Sequence, residues 1–150
     1  LISNFQKKDL GLDIVGNGSQ YQELKKLGGN VKFLGKLANA DLLNLYQEYK
    51  IFVLFSTFEG NPKVILEAMA SGCVVVASNI QNNREIISHN INGYLIDENE
   101  NLSEVIENLI SNEKQLIEMS KKALEGISVS NSLEKTFNRE VEVISSFYIS

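Results

Sequence analysis

The chain has 150 residues, of which 43% are hydrophobic, and this size and composition suit the core of one ordinary domain. Its formal net charge is −5 and its basic residues form no long run, which argues against a nucleic-acid surface and against docking on an anionic membrane. The single Cys73 suits a reducing, cytoplasmic location, and with only His89 beside it a His/Cys metal site is not expected.

Short apolar runs alternate with helical patterns along the first hundred residues. We predict strands at 12–15, 31–34, 51–55, 73–77 and 93–96, and helices at 19–27, 39–49, 62–71 and 82–88. The strand runs are almost continuously apolar, as in strands that are covered on both faces, and they are far too short to cross a bilayer. This order predicts an α/β fold: a Rossmann-like parallel sheet of about five strands with flanking helices. After residue 100, three helical patterns, the last at 132–148, predict a helical C-terminal tail.

Ligands of open parallel sheets bind beyond the carboxyl ends of the strands, which here means the loops at 16–18, 35–38, 56–61 and 78–82. In the first loop, the stretch IVGNGSQ contains Gly16 and Gly18, but the third glycine of a dinucleotide fingerprint is replaced by Tyr21, so nicotinamide or flavin binding has little support. Two interpretations remain: a tight strand-to-helix turn, or bare backbone that approaches a phosphate or sugar. The second loop is similar and contains Gly35, Lys36 and Leu37, whose backbone groups could pair with a flat base.

The stretch FEGNPKVILEAMASG, at 58–72, contains the clearest helix start of the chain. Asn61 is a good N-cap and Pro62 suits the first helical position. The next backbone N–H groups lack helical partners and, together with the helix dipole, form an anion site; they belong to Lys63, Val64 and Ile65.

Lys63 is a cation where a helix start favours an anion, and it precedes Glu67 in the less favourable order for a pair four residues apart. Each effect costs only about 0.3–1 kcal/mol. Charge-assisted bonds from Lys63 to a bound phosphate would outweigh that cost. The alternative interpretation is a surface pair between Lys63 and Glu67 that contributes little.

With Glu59 and Glu67 eight positions apart, this stretch resembles the acidic Glu-x₇-Glu motif of glycosyltransferase family 4, the retaining group 1 sugar transferases of GT-B fold. The resemblance covers about residues 11–100, in which DIVGNGSQYQEL, VKFLGKL, FVLFSTFEGNPKVILEAMASGCVVVAS, REII and NGYLI follow the order and spacing of the family. Many members have Phe-Gly after the Glu-Gly pair, where this chain has Asn61 and Pro62.

The resemblance implies roles for individual residues. Glu59, the catalytic carboxylate of the motif, would hold the hydroxyls of the donor sugar, and Glu67 would hold the ribose of the nucleotide. The sugar and diphosphate would be surrounded by Gly60, Asn61, Lys63, Val64 and Ile65. The base and backbone contacts would come from Gly16, Gly18, Gly35, Lys36 and Leu37. No protein general base is assigned, and since the chain has no Asp-x-Asp motif, neither a metal ion nor another cofactor is expected.

The resemblance also implies missing parts. Residues 1–150 are expected to form one donor-binding domain, truncated at its N-terminus, that lacks the acceptor domain and a strand and loop carrying two phosphate-binding cations. In the family sheet that strand is central. The expected partners are a nucleotide sugar and the missing acceptor domain, through which alone the protein would associate with the cytoplasmic face of a membrane. No nucleic-acid partner is expected.

The function implied is the donor half of a hexosyltransferase that moves a sugar from a nucleotide-diphosphate sugar to a glycan or lipid-linked acceptor in polysaccharide biosynthesis. The isolated chain is expected to be inactive. Two alternatives remain open: a non-catalytic nucleotide-sugar-binding module, and part of a nucleotide-sugar epimerase of similar two-domain fold.

Overall fold

The computed structural model describes residues 10–18, 21–27, 30–55 and 63–130, and within it the predicted alternation of strands and helices is confirmed. The strands are β1 (Leu12–Val15), β2 (Val31–Gly35), β3 (Ile51–Leu54), β4 (Val74–Ser78) and β5 (Tyr94–Ile96). The helices are α1 (Tyr21–Leu24, continued by a 3₁₀ turn at Lys25–Leu27), α2 (Asn39–Tyr46), α3 (Lys63–Ala70), α4 (Gln81–Arg84), α5 (Leu102–Ser111) and α6 (Glu113–Ser130). The predicted helix at 132–148 lies outside the described residues.

All five strands run parallel to their neighbours, but the described residues place them in two hydrogen-bonded sheets. One sheet pairs β1 with β2, and the other has the order β3-β4-β5. The sequence predicts about five parallel strands in one sheet. The number of strands and their parallel direction are confirmed, but β1 and β3 are not hydrogen-bonded to each other among the described residues.

The two faces of β4 carry the two halves of the core. Val74 and Val76 pack with α5 and the first half of α6, whereas Val75 and Ala77 pack with α2, α3 and the second half of α6. These four side chains are at most 1% exposed. Because successive residues of a strand point to opposite faces, a strand covered on both sides must be apolar at every position, and this is why VVVA reads as a continuous run.

The tail helices cover one face of the sheet and then cross to the other. Asn101 caps α5, since its side-chain oxygen accepts a hydrogen bond from the Ser103 N–H at 3.1 Å. Farther along, the Ser120 hydroxyl of α6 donates to the Gly72 carbonyl at 2.8 Å and fixes α6 beside the turn between α3 and β4. None of the described helices is both long and apolar enough to cross a membrane.

Candidate functional site

The helix that follows β3 is the centre of the candidate site, and its described part begins at Lys63. The predicted site residues Glu59, Gly60 and Asn61 lie outside the described residues. Within α3, Ile65 is fully buried in the core, so any contact between Ile65 and a ligand is limited to its backbone N–H. Val64 is half-buried and lines a cleft beside β3.

Glu67 lies one turn after Lys63 and is only 8% exposed. The Lys63 Nζ atom lies 3.6 Å from Glu67 Oε1, beyond ordinary hydrogen-bond length, and the Lys63 side chain is 61% exposed. A buried carboxylate needs strong hydrogen-bond donors, and a single distant, solvated ammonium satisfies few of its lone pairs. Among the described residues, Lys63 is therefore the only ion-pair partner of this buried carboxylate.

Tyr46, at the end of α2, is a neighbour of Glu67 that the sequence does not single out. It is 4% exposed, and burial, followed by the negative charge of Glu67, raises the pKa of Tyr46 to about 12. Its phenol therefore stays protonated, and the hydroxyl has no hydrogen-bond partner among the described residues. In the sequence, Tyr46 only continues the apolar stripe of an amphipathic helix, which does not distinguish a core tyrosine from one beside a site.

The two glycine turns predicted to approach a ligand are brought into contact. Gly16 and Gly35 have φ angles of +126° and +68°, which favour glycine, and the Gly16 N–H donates to the Gly35 carbonyl at 2.6 Å. Gly18 accepts a hydrogen bond from the Tyr21 N–H. Lys36 is exposed and Leu37 half-buried. A backbone hydrogen bond thus joins the carboxyl ends of β1 and β2.

A cluster of polar side chains connects the loops after β4 and β5, and the sequence pattern does not indicate it. The Arg84 Nε–H donates to Asn79 Oδ1, and the Asn79 amide donates to Asp97 Oδ1, both at 2.7 Å. Asn83 is fully buried, and its amide donates to the Ser78 carbonyl. These side chains fix the carboxyl edge of the sheet. Across the described ranges, no three His, Cys, Asp or Glu side chains are grouped in a way that could hold a metal ion.

Comparison with known proteins identifies the same region of the chain. The profile of a family described as "Glycosyl transferases group 1" matches residues 1–125. An uncharacterized glycosyltransferase of Haemophilus influenzae is 33% identical over 125 residues, which are 77% of this chain and 35% of that protein. A UDP-Gal:alpha-D-GlcNAc-diphosphoundecaprenol alpha-1,3-galactosyltransferase of Escherichia coli is 28% identical, over 96% of this chain and 40% of that protein.

Among solved structures, the C-terminal domain of a glycosyl transferase group 1 family protein (LpcC) from Francisella tularensis is similar, with a TM-score of 0.63 and 27% identity. The match covers 72% of this chain and 60% of that domain. The chain spans only 35% of the length of the H. influenzae relative and 40% of the length of the E. coli relative.

Proposed function

Because this chain belongs to the group 1 glycosyltransferases, we propose that it forms the donor-binding part of a retaining enzyme that transfers a hexose from a nucleotide-diphosphate sugar to a glycan or lipid-linked acceptor. The acceptor side of the reaction would then belong to a further domain. The partial coverage of the relatives supports this division. The E. coli relative, named for a UDP-galactose donor and a diphosphoundecaprenol-linked acceptor, supports the substrate class.

The observation that carries the proposal is the state of Glu67. Its carboxylate is almost buried, lies at the first turns of a helix that follows a parallel strand, and has Lys63 at 3.6 Å as its only described ion-pair partner. A nearly buried carboxylate in this place, with so few partners among the described residues, suits the two neighbouring hydroxyls of a ribose. Glu67 would therefore bind the nucleoside, and Glu59, which lies outside the described residues, would bind the donor sugar.

The negative charge that develops on the leaving diphosphate would be stabilised at the start of α3. The N–H groups at Lys63, Val64 and Ile65 and the Lys63 ammonium group are the available donors. We assign no protein general base and no metal ion. The 150-residue chain alone would bind a nucleotide weakly and transfer no sugar, because the water-excluding second half of the cleft would come from the acceptor domain.

The test is isothermal titration calorimetry of the 150-residue chain with UDP. We expect a dissociation constant on the order of 0.1–1 mM, equivalent to about 4–5.5 kcal/mol. Glu67→Ala should weaken UDP binding by about tenfold or more, since a hydrogen bond to a charged group contributes roughly 1.5–3 kcal/mol. The matched control is Glu118→Ala, which removes an exposed carboxylate from α6 and should leave UDP affinity unchanged. Equal UDP affinity of the Glu67→Ala variant and the unmodified chain would contradict the assignment.

A further inference from the structure

The sequence contains two asparagines that are followed directly by glycine, Asn17 and Asn92. In such a pair the backbone nitrogen of the glycine can attack the side-chain amide of the asparagine, because glycine has no Cβ atom to hinder the approach. The asparagine then loses ammonia and becomes an acid, and the rate in a folded protein depends on how firmly the pair is held. The surroundings of Asn17 and Asn92 can therefore be compared directly.

The pair Asn92–Gly93, just before β5, is held firmly. The Asn92 Oδ1 atom accepts a hydrogen bond from the Ser88 N–H at 2.7 Å, and the Asn92 amide donates to the Ile86 carbonyl at 3.0 Å. Gly93 is buried, and a Cβ atom built on it would lie 3.0 Å from the Val75 carbonyl oxygen. Loss of ammonia would remove the Asn92 amide nitrogen and with it the bond to Ile86, and it would also move a tightly packed backbone.

The pair Asn17–Gly18, in the turn after β1, is open. Both residues are exposed, and neither the Asn17 side chain nor the Gly18 N–H has a hydrogen-bond partner among the described residues. The Gly18 carbonyl accepts a hydrogen bond from the Tyr21 N–H at 2.9 Å, which leaves the attacking nitrogen free. A Cβ atom built on Gly18 would meet no atom within 4 Å in the described part of the chain beyond its two neighbours. A ring between the two residues therefore has room to form.

We propose that Asn17 is a site of spontaneous deamidation in the folded protein and that Asn92 is protected from the same reaction. The Gly18 backbone nitrogen gives its proton to hydroxide and attacks the Asn17 Cγ atom. The new N–Cγ bond forms, the bond from Cγ to Nδ2 breaks, and Nδ2 leaves as ammonia. Water then opens the cyclic imide at one of its two carbonyl groups and gives aspartate or isoaspartate at position 17. The reaction consumes one water and releases one ammonia.

Either product places a new negative charge just after the carboxyl end of β1. Val15, two residues before Asn17, lines the same cleft as Val64, the second residue of α3. The consequence for binding rests on the proposed function, in which the start of α3 receives the diphosphate of the donor. A carboxylate at position 17 repels that diphosphate, and isoaspartate also adds one CH₂ group to the main chain between β1 and α1. Deamidation therefore weakens nucleotide binding as the protein ages.

The experiment incubates the folded 150-residue chain in mildly alkaline buffer without nucleotide and follows both asparagines by peptide mass spectrometry. We expect Asn17 to be converted at least about tenfold faster than Asn92, because only Asn92 must break its bonds to the fold before it reacts. A second sample is unfolded in guanidinium chloride, where neither pair is held. There the two asparagines should be converted at rates within about threefold of each other, which separates protection by the fold from the effect of the local sequence.

A matched variant, Gly18→Ala, tests the chemical step itself. Gly18 is not among the glycines with positive φ and has open space around its Cα atom, so the fold should accept alanine there without loss of its thermal midpoint. The added methyl group should slow the conversion of Asn17 by about tenfold, because it hinders attack by the backbone nitrogen. The slow conversion of Asn92 should be the same in both proteins.

The consequence for binding is measured by calorimetric titration of Asn17→Asp and Asn17→Gln with UDP. The aspartate variant should bind UDP about two- to fivefold more weakly at low ionic strength, and added salt should reduce the difference, because the charges concerned are exposed. The glutamine variant adds no charge and should bind UDP like the unmodified chain. Equal affinity of the two variants would overturn the effect on binding.

Two results would overturn the assignment of the modification site. In the first, the folded chain converts Asn92 as fast as Asn17 or faster. In the second, Asn17 reacts about tenfold or more slowly in the folded chain than in the unfolded one, which would show that the turn after β1 protects it. Absence of UDP binding by the unmodified chain would contradict the proposed function, whereas the conversion rates are measured without nucleotide and do not depend on it.

Discussion

At the scale of single residues, Lys63 and Glu67 form an ion pair that contributes little to folding. Lys63 opposes the helix dipole, lies 3.6 Å from its carboxylate partner and remains 61% exposed. A pair with this geometry contributes about 0–1 kcal/mol to stability. Lys122 and Glu125 on α6 form a closer pair at 2.9 Å, with both side chains exposed and far along the chain from the site. The two pairs can therefore be compared by what they do to stability and to binding.

We predict that Lys63→Met changes the free energy of unfolding by less than about 0.5 kcal/mol but weakens UDP binding by about tenfold, because the ammonium group acts on the diphosphate. Lys122→Met is the control and should leave UDP affinity unchanged. Urea unfolding and calorimetric titration of both variants measure the two quantities. If both substitutions leave UDP affinity unchanged, Lys63 is only the surface partner of Glu67.

At the scale of elements, Gly93, the residue just before β5, lies very close to β4 and α3. A Cβ atom on Gly93 would lie 3.0 Å from the Val75 carbonyl oxygen, 3.1 Å from Ile87 Cγ2 and 3.4 Å from Met69 Cε. The nearest of these atoms belongs to the backbone of β4, which cannot move aside easily. Gly93 is thus required by the packing of elements and not by its own backbone angles. A Cβ atom on Gly126, in α6, would have no atom within 4 Å among the described residues outside the neighbouring backbone of its own helix.

Gly93→Ala should therefore lower the free energy of unfolding by about 1–3 kcal/mol, because one methyl group overpacks the contact between β5, β4 and α3. The same substitution at Gly126 should raise it by about 0.5–1 kcal/mol, because alanine is the better residue in a helix interior. Urea unfolding of both variants measures whether each substitution lowers or raises the free energy of unfolding. A Gly93→Ala variant as stable as the parent would show that β5 can shift away from Val75.

At the scale of the whole molecule, burial brings weak acids into the core that joins α2, α3 and β4. Cys73 is fully buried, and its Sγ lies 3.0 Å from the Tyr46 carbonyl oxygen, to which it donates. Burial raises the pKa of Cys73 from 9.0 to about 11, and burial with the nearby Glu67 raises the pKa of Tyr46 from 10.0 to about 12. Both groups are therefore held in their neutral forms in the folded protein.

A group whose pKa is raised on folding contributes stability fully below its unfolded pKa and loses that contribution as the pH rises toward its folded pKa. We therefore predict that the free energy of unfolding is nearly constant up to about pH 9, falls first through Cys73 and then also through Tyr46, Tyr49 and Tyr94, whose pKa values are all raised to about 12, and continues to fall to about pH 12. Cys73→Ala should make the decline between about pH 9 and 11 shallower. Urea midpoints measured across this range test both statements, and an equally steep decline in the variant would exclude Cys73 as its source.

The sequence by itself determined the elements and the motif. The strand runs were readable because strands covered on both faces are apolar at every position, and α5 because Leu102, Val105, Ile106 and Leu109 follow the helical spacing. The family was readable from FEGNPKVILEAMASG, because the relation between Glu59 and Glu67 depends on their separation along the sequence alone. The short α4 was predicted at 82–88 and found at Gln81–Arg84, and within it Asn83 donates to the Ser78 carbonyl.

Only the tertiary structure decided which residues meet across elements. The approach of Tyr46 to Glu67, the contact between Gly16 and Gly35, and the cleft lined by β1 and β3 each join segments at least 19 residues apart. The local sequence of a parallel strand does not predict which strand lies beside it. Its backbone N–H and C=O groups can pair with any neighbouring strand that runs in the same direction. The order of the strands is set by how the helices pack on the two faces of each sheet, and that is a property of the whole chain.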